Sequence, residues 1–262
     1  MQLFLAPATG QKLPPPMKLF LTNLLFPDKV NQLLFTDFNL LQSFAFIDSK
    51  FAYERIKNNH RYRDFILDSG AFSYMNGKNG NKINWDEYVE HYAKVINDFD
   101  IKKFIELDID AIVGLKEVER LRKKLEILTN KQSIPVWHKN RGQKYWIKMI
   151  HEYSYCAIGG IAIGNIKRTE YGIFHKLLKE AHENNCKVHG LGFTNLKLLT
   201  QFNFDSVDSS SCNSVRFGQL SVFTGTTIRN IKAPSGKKID YQRGVSQSFD
   251  AWVQYANYLE GL

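Results

Sequence analysis

Carboxylates and histidines recur where short apolar runs end. Asp68 and Ser69 close FILDS, and Glu106, Asp108 and Asp110 close FIELDID. His138 closes IPVWH, Gly159 and Gly160 close CAIGG, and His189 lies within KVHGLG. Asp205, Asp208 and Ser209–Ser211 line FDSVDSSS. A single Asp in such a place is ordinarily a helix cap or a loop anchor. Many polar groups converging on one rim are costly to desolvate unless they bind a ligand or carry out chemistry. Two carboxylates on different strands suit displacement at a glycosidic carbon, one attacking the anomeric carbon and the other moving protons on the leaving and arriving groups. Asp68 is one such carboxylate; Asp205 and Asp208 both qualify as its partner. The Gly159–Gly160 pair would let a flat ligand approach the backbone closely. Phe72 could stack on that ligand, worth roughly 1–3 kcal/mol per base. The set fits a planar heterocycle attached to a sugar. These Asp and His residues lack compact ligand spacing, so neither a metal nor another cofactor is expected.

The elements that must position these groups alternate in kind. Phe65–Ser69, Lys103–Asp108, Ile134–His138, Cys156–Gly160, Lys187–Gly192 and Phe204–Ser209 read as strands. Between them, helical spacing recurs: Trp85, Val89, Tyr92, Ala93 and Ile96, with Asn84 as N-cap and Glu87 three residues on; then Leu115 to Leu128, Tyr145 to His151, Glu170 to Asn184, and a short Asn195–Gln201. Six strand–helix units without a hairpin signal demand parallel strands and crossover helices. Lys18–Thr22 and Phe44–Ile47 supply two more strands, and eight units in this length suit a TIM (β/α)8 barrel in one domain spanning 1–262. In such a barrel all the strand ends above share one face. An open doubly wound sheet is the alternative, but no GxGxxG opens a helix after the first strand.

Composition sets the class. The chain has 262 residues, 44% hydrophobic, 13% aromatic and 23% charged, the profile of a globular protein. Its apolar runs fall short of a membrane span, and its N-terminus lacks the pattern of a signal peptide, so a cytoplasmic protein without a membrane partner is expected. Cys156, Cys186 and Cys212, an odd count without CxxC, read as buried reduced thiols. The net charge is +9. It concentrates in a basic segment at about 213–243, with Arg216, Arg229, Lys232, Lys237, Lys238 and Arg243 against Asp240 alone. Lys139, Arg141, Lys144 and Lys148, interleaved with Tyr145 and Trp146, form a second cluster. Basic residues among aromatics are what a nucleic-acid backbone and its bases require, although a charge run is as readily ordinary solvated surface.

Four segments, Asp68–Ser73 (DSGAFS), Ala157–Gly164 (AIGGIAIG), His189–Thr194 (HGLGFT) and Phe204–Val207 (FDSV), occur in an order that resembles the tRNA-guanine transglycosylases. The likeness is greater to their phage-type relatives that place 7-deazaguanine bases in DNA, and it runs from about Phe65 to Ser211. The resemblance implies a TIM barrel and a base exchange through a covalent aspartyl-glycosyl intermediate. It makes Asp205 the nucleophile and Asp68 the group that manages protons. Phe72 would sandwich the base, Asp108 read its N1 and N2 edge, and Gly159 and Gly160 contact its carbonyl; Ser69, Gly70, His138 and His189 complete the expected base pocket. Departures are Ala71 and Ser73 where the family has Gly and Gln, His138 where it carries Gln, and no C-terminal zinc subdomain. The missing zinc arm favours DNA over tRNA as the polymer, with a free preQ0-type base as co-substrate and the basic segment on the backbone. A homo-oligomer or a partner protein would be compatible. In a phage setting the compartment is the cytoplasm of a bacterial host. The rivals are a tRNA-directed enzyme, a silent nucleic-acid-binding subunit, and a glycoside hydrolase, which would ordinarily present several surface Trp platforms.

Overall fold

The computed structural model describes residues 16–22, 37–71, 83–233 and 239–261. Seven strands form one parallel sheet: β1 (Lys18–Thr22), β2 (Asn39–Ser43), β3 (Asp64–Asp68), β4 (Val136–Trp137), β5 (Tyr155–Ile158), β6 (Lys187–Gly190) and β7 (Ser206–Ser209). Their order is β3-β2-β1-β7-β6-β5-β4. The sheet curls, because both edge strands reach the same short segment. Leu67 on β3 bridges Phe104, and Ile105 bridges Ile134 just before β4, both in parallel sense. The backbone bonds there are sound, with Ile105 N to Leu67 O at 2.9 Å and Ile134 N to Phe104 O at 2.7 Å. The fold is therefore α/β and barrel-like.

Parallel strands buried on both faces need apolar residues on both. Two separate clusters meet that need. Phe20, Leu41, Ile66, Val136 and Ala157, one from each of β1 to β5, fill the inside of the curl with Ile105 and Ile134. A larger cluster lies between the sheet and the helices, where Tyr92, Trp146, Phe174 and Leu177 meet Leu19, Leu67 and Val207. The helices span Lys50–Lys57, Trp85–Asp98, Leu115–Thr129, Gly142–Glu152 and Ile173–Glu183. Asn84 caps the second as expected, accepting from the amides of Asp86 and Glu87.

Three expectations about elements need correction. The second strand is Asn39–Ser43, and Phe44–Phe46 is a 3-10 turn. Its polar residues concealed it: buried Asn39 spends its amide on Glu260 Oε1 at 2.6 Å. The Asn195–Gln201 helix shrinks to a 3-10 turn at Leu199–Gln201. The Lys103–Asp108 strand shrinks to two isolated bridges, at Phe104 and Ile105. A 3-10 segment, Ser211–Phe217, leads into an antiparallel hairpin, β8 (Gln219–Phe223) and β9 (Ile228–Lys232), and then a helix, Tyr241–Glu260. That helix closes on the start of β1, where Met17 N donates to Leu259 O. It is roughly 30 Å long, and packs along β1 and β8. All three cysteines are buried and unpaired.

Candidate active site

Alternation along parallel strands decides which carboxylates meet. Residues two apart on a strand share a face, and residues three apart do not. On β3, Asp64, Ile66 and Asp68 face inward, with Ile66 in the inner cluster. Asp64 lies at the start of the strand and Asp68 at its end. On β7, Ser206 and Asp208 face inward, whereas Val207 belongs to the outer cluster. Asp205 is thus wrong on two counts as the partner of Asp68. It precedes β7, at the N-terminal mouth, and its side chain turns to the helix layer. There its Oδ2 accepts from Val188 N at 2.8 Å and pairs with His182 Nε2 at 2.9 Å. Asp208 takes the place expected of Asp205.

Asp208 is held by one oxygen. Its Oδ1 accepts from Gly192 N at 2.7 Å and lies 3.3 Å from His189 Nε2. Its Oδ2 has no hydrogen-bond partner among the described residues. Gly192 makes this possible with φ +66°, in the left-handed region, and a Cβ there would lie 2.7 Å from Ala162 Cβ. Asp68 faces the same rim. Burial pushes its carboxyl up to about 7, and the neighbouring Asp208 and Asp108 charges add to the effect of burial against the Gly70 amide. That amide donates to Asp68 Oδ2 at 3.1 Å. A carboxyl raised toward neutral pH by burial and neighbouring charges has the chemistry of a proton carrier.

Asp108 and His138 join the rim as a pair, Oδ1 to Nε2 at 2.6 Å. Burial alone would lower the His138 pKa, yet the Asp108 hydrogen bond and charge hold it above the ordinary imidazole value. Behind them, fully buried Glu106 accepts from Arg122 and Arg141 at 3.0 Å each and from Val136 N at 2.8 Å. Arg141 also reaches Asp110 at 3.0 Å and Asp108 at 3.5 Å. This network fixes the loops that follow two strands. Removing one member of such a buried set ordinarily costs about 3–5 kcal/mol. Asp108, Asp110 and His138 place ligand atoms within 4.8 Å of one another. The Arg141 guanidinium already supplies the cation for both carboxylates.

The residues expected to line a base pocket fall into three groups. Asp68, Ser69, Gly70, Asp108, His138, Gly159 and Gly160 gather at the C-terminal ends of the strands. Ser69 is buried, and its Oγ has no partner among the described residues. Gly159 leaves room for a side chain rather than for a flat ligand: a Cβ there would sit 2.6 Å from His138 Cε1. His189 is fully buried beneath Asp208, so it serves that carboxylate and is not a base contact. Phe72, Lys237 and Lys238 lie outside the described residues. Arg216, Arg229, Lys232 and Arg243 are exposed. The second basic cluster is divided: Arg141 and Trp146 are buried, whereas Lys139 pairs with Glu170 and Lys148 with Glu119 at 3.0 Å at the surface, and Lys144 is exposed. Sequence spacing alone gave no sign of Gly192 or Arg141 as site-builders. Their signals were a glycine after a strand and an arginine mistaken for part of a surface run.

No helix among the described residues is long and apolar enough to cross a membrane. Neither a protein-family model nor a curated protein sequence matches the chain.

Proposed function

We propose that this chain is a (β/α)8-barrel transglycosylase in which the segment 103–106 supplies the eighth strand. Its reaction would exchange guanine in DNA for a free 7-deazaguanine base of the preQ0 type. The observation that carries this reading is Asp208. One of its oxygens is anchored and the other has no partner among the described residues, and it neighbours a carboxyl raised to about 7. A flipped nucleotide would present C1′ to this pair, since the carbon is inaccessible in a stack. Asp208 Oδ2 attacks C1′, the bond from C1′ to the base nitrogen breaks with its electron pair going to guanine, and protonated Asp68 gives guanine a proton. The incoming base then loses its ring N–H proton to Asp68 and attacks C1′. The ester bond to Asp208 breaks, restoring its carboxylate with overall retention. No step requires a metal or an organic cofactor.

The polymer is inferred from charge. Arg216 follows β7 on the same rim as Asp208, and the Tyr241–Glu260 helix, whose last residues meet the start of β1, carries Arg243 toward that rim at its other end. Exposed arginines beside the mouth suit a phosphate backbone. The test is incorporation of labelled guanine and labelled preQ0 into duplex DNA, single-stranded DNA and bulk tRNA, with Asp208→Asn and Asp205→Asn alongside. Label in DNA that is lost in Asp208→Asn and kept in Asp205→Asn supports the proposal. Label in tRNA alone overturns the polymer and keeps the chemistry. Absence of label with intact nucleic-acid binding would favour a silent binding subunit.

A further inference from the structure

The geometry points to His189 as a positioning residue for Asp208, held in one tautomer by a hydrogen-bond chain that crosses the barrel interior through Ser206 to Tyr155. This rests on the reading of Asp208 as nucleophile. Three contacts make the chain: His189 Nε2 lies 3.3 Å from Asp208 Oδ1, His189 Nδ1 lies 2.6 Å from Ser206 Oγ, and Ser206 Oγ meets the Tyr155 hydroxyl. Register brings them together, because His189 stands opposite Ala157 on one side and Ser206 on the other. Tyr155 and Ser206 line a cavity of about 640 Å³ at the N-terminal mouth, so the chain joins the two ends of the barrel.

With Asp208 accepting and the imidazole neutral, donor accounting gives one arrangement. An ionised carboxylate only accepts, so Nε2 must carry the hydrogen. Neutral imidazole then has a lone pair on Nδ1, which the Ser206 hydroxyl fills with its single hydrogen. Ser206 Oγ is left to accept from Tyr155, whose phenol is kept protonated by burial and by the nearby Asp64 and Asp205 charges. Phe20 packs edge-on to the imidazole at 5.8 Å and limits its rotation. Ring position and tautomer are thereby both set, and with the Gly192 amide they orient Asp208 so that Oδ2 stays open. Other groups could fill the space under a rim carboxylate. A histidine with both nitrogens satisfied fixes the carboxylate's rotation as well.

The experiment pairs a direct and a kinetic readout on the full chain. By ¹⁵N NMR of histidine-labelled protein, His189 is expected to show a protonated Nε2 and an unprotonated Nδ1. Ser206→Ala should populate the other tautomer. In base exchange on DNA, His189→Leu should lower kcat roughly 10- to 100-fold with KM little changed, the size of effect that follows from misplacing a reacting group. His189→Gln, which keeps an N–H near the Nε2 position, should recover much of the loss. An Nδ1–H tautomer, or equal rates for the Leu and Gln variants, overturns the proposal. If wild-type protein exchanges no base, the functional reading fails, and the NMR result still decides the relay by itself.

Discussion

The two mouths of the barrel carry similar residues and use them differently. Each has a carboxylate near the end of β7 beside a histidine, and each has an aspartate of β3 within reach. At the N-terminal mouth every such charge is matched. Asp64 takes Lys18 and Lys103, each at 2.6 Å, and although burial would raise its pKa these lysines hold it below the usual carboxylate range. Asp205 is bound by the Val188 amide and His182. At the C-terminal mouth the Asp208 charge acts on Asp68, and among the described residues no lysine pairs with either and one oxygen of Asp208 has no partner. Matched charges lower the free energy of the fold. Unmatched ones raise it, and groups with such perturbed pKa values cluster at functional sites. A motif that supplies two aspartates three residues apart therefore does not by itself say which is chemical.

The comparison is tested most sharply at Asp208 on β7 and at Asp205 just before it. Asp208→Asn should lower exchange by about 10⁴-fold, as loss of a nucleophile does. Asp205→Asn should leave exchange near wild type and cost about 1 kcal/mol of stability. The reverse pattern in the labelled-base assay would return the nucleophile to the N-terminal mouth.

Asp68→Asn should lower exchange by roughly 10²- to 10⁴-fold, the range for a lost general acid–base, and yet stabilise the fold. The native carboxyl titrates near 7 and the unfolded one near 3.8. Between these values the native state holds more protons than the unfolded state, so wild-type stability falls as pH rises through that window. Urea unfolding should show the variant gaining on wild type from pH 4 to 7, by about 2–4 kcal/mol at the top. A constant difference across that range would remove Asp68 from the proton-carrying role.

Gly159→Ala should cost about 1–3 kcal/mol, because the new Cβ overlaps His138. It should also loosen the His138–Asp108 pair, read as a fall in the His138 pKa by NMR titration. The smallest effect is expected at the basic surface. Arg229→Glu with Lys232→Glu should weaken DNA binding about 10-fold for all sequences alike and flatten the salt dependence by about two phosphate contacts. An unchanged salt slope would make that face plain solvated surface.

The order of elements was legible because it is local. β-branched and aromatic runs between helical stripes predict parallel strands with crossovers, and the Asn84 cap was visible residue by residue. The rim as a gathering place for Asp68, Asp108 and His138 followed from where the apolar runs that carry them end. Less local features escaped. The Asn39 strand is stabilised from far along the chain, where Glu260 takes the buried Asn39 amide. Arg141 sat in a basic run, yet its guanidinium is spent on Glu106 and Asp110 inside the protein. The sequence by itself determined the alternation of strands and helices, and hence that these carboxylates and histidines belong to strand ends. Only the tertiary structure decided that Asp208, and not Asp205, joins Asp68. Strand parity and the two ends of a parallel barrel are fixed by pairing across strands, and a one-residue change of register reverses every side chain's face.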